Sequence, residues 1–306
     1  MKDKTLTMSA MKSVLKKHRI EIIYYIDRVS FYTDTRTHED NLVDILNANK
    51  KNNLYFKSLE KYGYLDKKIN LFQPSKKTLR MLTDNNILSG DYAITYIEFA
   101  VDFLVKNKKV RNQLSDFFDK HLFHERSIKK NFDTSKFHFK YGNKCKKKKY
   151  CKEKNNEDDG GAESNCICKT RYFTPPTDDV RMAIYSDKRT KTKSKKYCIH
   201  IEKRIVGLEF VKKFEIYTFQ NIIDFNHAEF WSQNLDIRKP NFSALGRLNS
   251  FRLKKTKKDA NSKRGKKEWS KFNVLQEYLR DHSHSSQAFQ KIDTAKKLES
   301  LLKHFL

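Results

Sequence analysis

The stretch YAITYIEFAVDFLV, residues 92–105, decides the fold. Its apolar and polar residues alternate with a period of two, and this pattern predicts a half-buried β-strand. One face of the strand would carry Ile97, Phe99, Val101 and Phe103. The other face would carry Tyr96, Glu98, Ala100 and Asp102. The second face therefore offers two candidate functional carboxylates.

Strand and helix patterns surround this stretch on both sides. Residues 20–33, IEIIYYIDRVSFYT, are β-branched and aromatic and predict a strand. Simple alternation would place Tyr25, Asp27 and Val29 on one face, and Ile26, Arg28 and Ser30 on the other. Two more strands are predicted around 181–186 and 197–206, joined by the Lys-rich hairpin DKRTKTKSKK. Helical spacing predicts a helix and connecting loop over 37–64, a helix starting after Ser75, a helix over 111–125, two helices after Gly207, and terminal helices over 269–279 and 288–306.

Together these elements predict an α+β fold, with a mostly antiparallel sheet and helices packed on one face. A basic helical C-terminal region would follow. We expect residues 1–235 to form one domain and residues 236–306 to form that basic region. Within the domain, residues at about 140–170 change to a basic run and then an acidic, Gly-containing run, which predicts a Cys- and Lys-rich insertion.

The composition excludes several classes of protein and favours a polyanionic partner. The 22 Phe and 15 Tyr exclude a disordered chain, and 8 Gly with 4 Pro exclude a collagen-like one. No run approaches the roughly 18 apolar residues that a membrane span needs, so no membrane partner is expected. The formal net charge is +28, and it is clustered, which favours nucleic acid over a general lysine bias of the proteome.

Five cysteines give an odd number, and the N-terminus shows no signal peptide. Both features favour the reducing cytoplasm of a bacterium or of a phage-infected cell. Four of the five follow the spacing C-x5-C-x14-C-x-C and are candidate zinc ligands: Cys145, Cys151, Cys166 and Cys168. The alternative is a set of free thiols in a variable loop.

Two predicted strands carry candidate ligands for a metal ion. Glu98 and Asp102 would lie about 13 Å apart along one strand, so they could not both bind one ion unless the strand bulges. One of them could bind an ion together with a carboxylate from a neighbouring strand. On the strand YCIHIEKR, residues 197–204, alternation places His200, Glu202 and Arg204 on one face. Carboxylate and imidazole groups together suit Mg²⁺ or Mn²⁺. The alternatives are a solvent-facing strand edge and an ordinary Glu–Arg surface pair.

Six segments, taken in order, resemble one protein family. They are IDRVSF, LFQPSKKTLRML, AITYIEFAVDF, MAIYSDK, CIHIEKRIVG and FEIYTFQNIIDFNHAEFW. This order is similar to that of the replication initiation proteins of bacteriophages and plasmids that replicate by rolling circle. In that family a strand of the type R-I-D-x-A-x-D precedes a Y-D-K element and an R-x-E strand. The resemblance covers roughly residues 20–235.

The resemblance implies an enzyme that nicks DNA at a replication origin. A tyrosine would attack a phosphodiester, leaving a 5′-phosphotyrosine link and a free 3′-hydroxyl that primes synthesis. By the same resemblance Glu98 and Glu202 would hold a divalent metal, with Asp102 and Asp187 as further candidates. His200 is a candidate ligand from the strand alternation alone. The nucleophile would be Tyr197 or Tyr96, with Tyr185 also near the relevant strands. This sequence departs from the family in having Ile201 where some members carry the nucleophilic tyrosine.

The partners expected from this resemblance are single- and double-stranded origin DNA, a host helicase or polymerase, and a second copy of the chain. Two basic segments would grip DNA phosphates. The hairpin supplies Lys188, Arg189, Lys191, Lys193, Lys195 and Lys196. The C-terminal run supplies Arg252, Lys254, Lys255, Lys257 and Lys258.

Two other functions are compatible with these residues. The first is a non-catalytic origin-binding protein of the same descent, which acts as a regulator or accessory factor. The second is a zinc-stabilised RNA- or DNA-binding protein in which the cysteine set is structural.

Overall fold

An antiparallel sheet forms the centre of the fold. The structure is a computed structural model that describes residues 6–34, 58–62, 65–84, 88, 91–123, 140–141, 170–172, 179–186, 189–190, 196–240 and 289–306. The strands of the sheet are β1 (Glu21–Thr33), β2 (Ser58–Tyr62), β3 (Leu65–Phe72), β4 (Tyr92–Val105), β6 (Lys140–Tyr141), β7 (Thr170–Tyr172), β8 (Val180–Tyr185) and β9 (Tyr197–Val206), β5 lying elsewhere. They pair in the order β2-β3-β1-β4-β9-β8-β7-β6, each with its neighbour antiparallel.

Seven helices and a small second sheet complete the part of the chain that the structure describes. The helices are α1 (Met8–Lys17), α2 (Lys76–Asp84), α3 (Lys108–His121), α4 (Leu208–Lys212), α5 (Phe219–Ile223), α6 (His227–Asn234) and α7 (Ala295–Leu302). The second sheet joins β5 (Leu122–Phe123), β10 (Asp236–Pro240) and β11 (Phe289–Lys291). Among the described residues no helix is long and apolar enough to cross a membrane.

Side-chain caps explain where several helices begin. The hydroxyl of Ser75 accepts a hydrogen bond from the backbone N–H of Thr78 at 3.0 Å. Helix α2 begins at Lys76, directly after Ser75, as the sequence predicted. Thr7 and Asn107 cap α1 and α3 in the same way. These caps satisfy backbone N–H groups that have no partner inside the first turn of a helix.

The two faces of the central sheet have opposite character. One face carries apolar side chains of β4 and β9, such as Val101 and Ile201, which pair in register and are fully buried. Helices cover this face: Phe99 stacks on Phe225 with ring centroids 4.2 Å apart, and Phe103 packs on Phe118 of α3. The other face carries the acidic and basic side chains. The predicted α+β fold, with an antiparallel sheet and helices on one face, is therefore confirmed.

A β-bulge in β1 changes which residues share a face. In the pairing of β1 with β4, Ile26 lies opposite Phe99 and Arg28 lies opposite Glu98, so Asp27 is an extra residue between them. Strict alternation predicted that Val29 would share the face of Tyr25, and this is wrong. Beyond the bulge Val29 is fully buried in the core, while Arg28 shares the polar face with Tyr25.

The predicted element types were also wrong in short segments, among them Leu122–Phe123, which form strand β5 where the pattern predicted the end of a helix over 111–125. Residues 58–62 form strand β2, where the pattern predicted part of a helix and loop. Residues 289–291 form strand β11 before α7, where the pattern predicted one helix over 288–306. In each of these places pairing with a partner strand decides the conformation, and such pairing is not visible in local residue spacing.

Candidate metal centre and active site

The polar face of the sheet brings together a buried cluster from four strands. Asp102 of β4 pairs in register with His200 of β9, so their side chains point the same way. Glu202 pairs in register with Ala100 on one side and Ala183 on the other. The two alanines are small, which leaves room for the longer carboxylate side chain between them. The strand pairing therefore positions all of these groups within hydrogen-bonding reach.

His200 is the centre of this cluster. Its Nδ1 lies 2.7 Å from Oδ1 of Asp102, and its Nε2 lies 3.2 Å from Oε2 of Glu202. The imidazole is only 3% exposed. Burial alone would lower the pKa of His200, but the hydrogen bonds to Asp102 and Glu202 outweigh it and raise the pKa to about 9.

A third carboxylate completes a set of groups suited to a metal ion. One ligand atom each of Asp27, His200 and Glu202 lie within 4.8 Å of one another, and all three residues are buried. The bulge places Asp27 there, and Gln73 holds its carboxylate with a hydrogen bond of 3.1 Å. Two carboxylates and one imidazole form a donor set that fits Mg²⁺ or Mn²⁺. These three residues are a candidate divalent-metal site.

Arg204 bridges the two glutamates of the polar face. Its Nε lies 2.6 Å from Oε1 of Glu98, as an ion pair without a well-directed hydrogen bond, and its Nη2 pairs with Glu202. Burial would raise the pKa of Glu202, but hydrogen bonding to His200 and the charge of Arg204 lower it to about 2. For Glu98, burial and the neighbouring Glu202 raise the pKa. Glu98 is thus held by Arg204 rather than placed among the three candidate metal ligands.

Two tyrosines lie inside this cluster. The hydroxyl of Tyr185 donates a hydrogen bond of 2.6 Å to Glu202 and accepts one of 2.8 Å from Arg204. The hydroxyl of Tyr25 lies 3.3 Å from both carboxylate oxygens of Asp102 and 3.3 Å from Nδ1 of His200. Burial, reinforced by the charge of Asp102, raises the pKa of Tyr25, so its phenol is neutral at physiological pH.

The two tyrosines that the sequence placed first lie on opposite faces of the sheet. Tyr96 is on the polar face next to Glu98, and the guanidinium of Arg28 lies 4.3 Å from its ring centroid. Tyr197 pairs in register with Val105 and belongs to the helix-covered face, where Arg111 of α3 lies 5.5 Å from its ring. The structure thus brings neither residue into contact with His200.

The basic hairpin is attached directly to the cluster. At its base the N–H of Thr190 donates to the carbonyl of Lys196, and Arg189 bridges to Tyr197. The hydroxyl of Thr190 donates to Oδ2 of Asp102 at 2.5 Å. Lys196 forms an exposed ion pair with Glu21.

The other predicted DNA and zinc contacts lie outside the described residues. For DNA these are Lys188, Lys191, Lys193, Lys195, Arg252, Lys254, Lys255, Lys257 and Lys258. Asp187, a candidate metal ligand, also lies outside the described residues. For zinc they are Cys145, Cys151, Cys166 and Cys168. The fifth cysteine, Cys198, is a buried free thiol.

Asp27, Tyr25 and Thr190 are among the cluster residues that sequence reasoning missed as functional groups. The segment IDRVSF contributed to the family resemblance, so its aspartate was a signal that could have been used. Simple alternation placed Asp27 on the face of Tyr25, where it lies, but no pattern showed that this face meets His200 and Glu202. Tyr185 was named as a tyrosine near the site, and the structure places it in contact with Glu202.

Comparisons with known proteins give little beyond this geometry. No protein-family model matches the sequence, and a search of curated proteins gave no match. Among solved structures, the rolling circle replication initiator protein from Geobacillus stearothermophilus resembles this chain with a TM-score of 0.36 and 13% sequence identity. The likeness covers 67% of this chain and 80% of that protein. Because a likeness this weak shows neither family nor function, we infer function from the residues of this chain.

Proposed function

We propose that the protein is a metal-dependent DNA nickase and strand transferase that starts rolling-circle replication. The observation that carries this proposal is the buried set Asp27, His200 and Glu202 in a chain of net charge +28. The hydroxyl of Tyr185 donates a hydrogen bond to Glu202 of this set. Cations attract a DNA backbone, whereas clustered carboxylates repel it unless they hold a metal. The combination fits a phosphodiester enzyme better than a protein that only binds DNA.

Asp27, His200 and Glu202 are the residues that would hold the metal. A divalent cation bound there supplies Lewis-acid polarisation of a phosphate and stabilisation of a leaving oxygen. Mg²⁺ and Mn²⁺ both suit the donor set, so both ions should support cleavage.

Tyr185 is the proposed nucleophile. Its hydroxyl donates to Glu202, which can take the proton, and accepts from Arg204, which stabilises the phenolate. The phenolate oxygen forms a bond to phosphorus, and the bond from phosphorus to the 3′-oxygen breaks. The departing 3′-oxygen takes up a proton and becomes the free hydroxyl, while the 5′-phosphate stays on the tyrosine. Strand transfer is the reverse of this step with a second 3′-hydroxyl.

The position of Ile201 does not argue for the non-catalytic alternative. Ile201 stands where some rolling-circle initiators carry their nucleophilic tyrosine. In this chain Ile201 is fully buried and packs in the core on the helix-covered face. A tyrosine at that position would point away from His200, so its absence does not remove a group from the cluster.

A plasmid cleavage assay tests the proposal. The protein is incubated with Mg²⁺ or Mn²⁺ and a supercoiled plasmid that carries the genomic segment encoding it and its flanks. We expect relaxed plasmid and a covalent protein–DNA adduct that survives denaturation. Tyr185→Phe should abolish the adduct, while Tyr217→Phe, at an exposed tyrosine remote from the cluster in sequence, should not change it.

The panel of variants separates the competing assignments. If the adduct persists in Tyr185→Phe, then Tyr25→Phe, Tyr96→Phe and Tyr197→Phe identify which phenol acts instead. Glu202→Gln should abolish nicking and leave DNA binding intact, because the carboxylate serves the metal and not the DNA backbone. Tight and specific DNA binding without any nicking by the unaltered protein would refute the enzyme and establish the non-catalytic binding protein.

A further inference from the structure

Asp102 is surrounded by hydrogen-bond donors on both carboxylate oxygens. Its Oδ1 lies 2.7 Å from Nδ1 of His200, and its Oδ2 accepts the hydroxyl of Thr190 at 2.5 Å. The hydroxyl of Tyr25 lies 3.3 Å from each oxygen. Asp102 is completely buried, so these contacts replace the water that an exposed carboxylate would bind.

These contacts indicate that Asp102 orients His200, whereas the sequence suggested that Asp102 binds the metal itself. Its oxygens are already taken up by side-chain partners, and it is not one of the three residues whose ligand atoms converge. By holding Nδ1 of His200, it leaves Nε2 directed at Glu202. Which nitrogen of a histidine can bind a metal is set by the hydrogen bond that the other nitrogen makes.

Thr190 connects this arrangement to the basic hairpin. The residue lies at the base of the hairpin, where its backbone N–H donates to the carbonyl of Lys196 at 3.0 Å. Its side chain is 5% exposed and points to Asp102 on the neighbouring part of the sheet. The hydroxyl thus fixes the rotation of the Asp102 carboxylate from the side opposite to His200.

We propose that Asp102 and Thr190 are positioning residues, which orient the imidazole of His200 as a metal ligand without binding the metal themselves. This inference rests on the metal site of the proposed function, but not on DNA cleavage. It predicts that removal of the Thr190 hydroxyl, which donates a hydrogen bond to Asp102, weakens metal binding.

The test is Mn²⁺ binding to the full chain by isothermal titration calorimetry, without DNA. We expect Thr190→Val to weaken the affinity about 10-fold and Asp102→Asn by up to about 100-fold, the range found when the partner of a metal-binding histidine is lost. Thr190→Ser keeps the hydroxyl and should bind Mn²⁺ within about 2-fold of the unaltered protein by the same reasoning.

Thr95→Val is the matched control. Thr95 is a threonine of equal burial, 6% exposed, and it lies seven residues from Asp102 along β4, roughly 23 Å away. Its substitution should leave the affinity for Mn²⁺ unchanged. Thermal melts of all four variants then verify that each one is folded.

The outcomes distinguish this inference from the proposed function. Equal Mn²⁺ affinities for Thr190→Val, Thr190→Ser and Thr95→Val would overturn the inference, as would a folded, unaltered protein that binds no Mn²⁺. If the predicted order of affinities is found but no DNA is nicked, the inference stands and the nickase proposal fails. If DNA is nicked and Thr190→Val binds Mn²⁺ normally, the nickase proposal stands and the inference about Asp102 and Thr190 fails.

Discussion

Replacement of Arg204 by methionine tests how the polar cluster is held together. The guanidinium contacts Glu98, Glu202 and the hydroxyl of Tyr185. The two glutamate side chains are 8% and 3% exposed, so both would lose their shared cation in a region that water barely reaches. Methionine keeps much of the volume of the arginine stem, which limits the effect of a cavity.

The structure sets the expected size of this effect. Breaking a buried ion pair by removal of one partner costs about 3–5 kcal/mol of unfolding free energy. The side chain of Arg204 is itself 26% exposed, so solvent screens part of the interaction and the lower end of the range applies. A loss of about 3 kcal/mol corresponds to a decrease in Tm of about 5 °C for a chain of 306 residues.

Thermal and urea unfolding of four proteins measure the effect: the unaltered chain, Arg204→Met, Glu98→Gln and the double variant. In the Arg204→Met background, Glu98→Gln should restore part of the lost stability, because it removes one uncompensated carboxylate. We expect a coupling free energy of about 1–3 kcal/mol. Lys17→Met, which breaks an exposed ion pair with Glu299, serves as the control and should leave Tm unchanged. A decrease of less than about 2 °C for Arg204→Met, or no recovery in the double variant, would refute this reasoning.

Three further changes test the core, a buried histidine and a backbone position. Phe99→Ala should cost about 3–5 kcal/mol in urea unfolding, because the ring is fully buried against Phe225; a loss below about 1 kcal/mol would contradict this. Burial and then the charge of Lys76 lower the pKa of His227 to about 4, so the unfolded chain binds the proton first and stability decreases as pH falls from about 6.5 to about 4. His227→Phe should remove up to about 3 kcal/mol of that decrease, and equal pH profiles would show that His227 is not its cause. Gly207 has φ +100°, so Gly207→Ala should lower the unfolding free energy by about 1–3 kcal/mol, a value that chemical denaturation can measure.

The faces of β4 and β9 could be predicted because strand alternation is a local property. Period-two spacing placed Glu98 and Asp102 together on β4, and His200 and Glu202 together on β9. The structure pairs Asp102 with His200 in register, so the two acidic faces form one surface. That register depends on pairing between strands about one hundred residues apart, and no local pattern specifies it.

The place of Tyr197 could have been predicted from the same rule. It stands two residues before Ile199 and four before Ile201, both of which the alternation assigned to the core face. A tyrosine in that series lies on the face opposite to Glu202, as the structure shows. The faces of Arg28 and Val29 are a different case, because an extra residue in a strand shifts every later side chain to the other face and nothing in IDRVSF reveals the bulge.

The charges of the sheet explain why the polar face argues for function rather than stability. Four carboxylates are gathered on or beside it: Asp27, Glu98, Asp102 and Glu202. Replacing buried ion pairs by apolar side chains is often neutral or stabilising, so a fold does not need such a cluster to be stable. A bound divalent cation would compensate the excess of acid, and the chain around it, with net charge +28, attracts the phosphates on which such an ion acts. The net positive charge of the chain and the acidic cluster are therefore the two features on which the proposed nickase function depends.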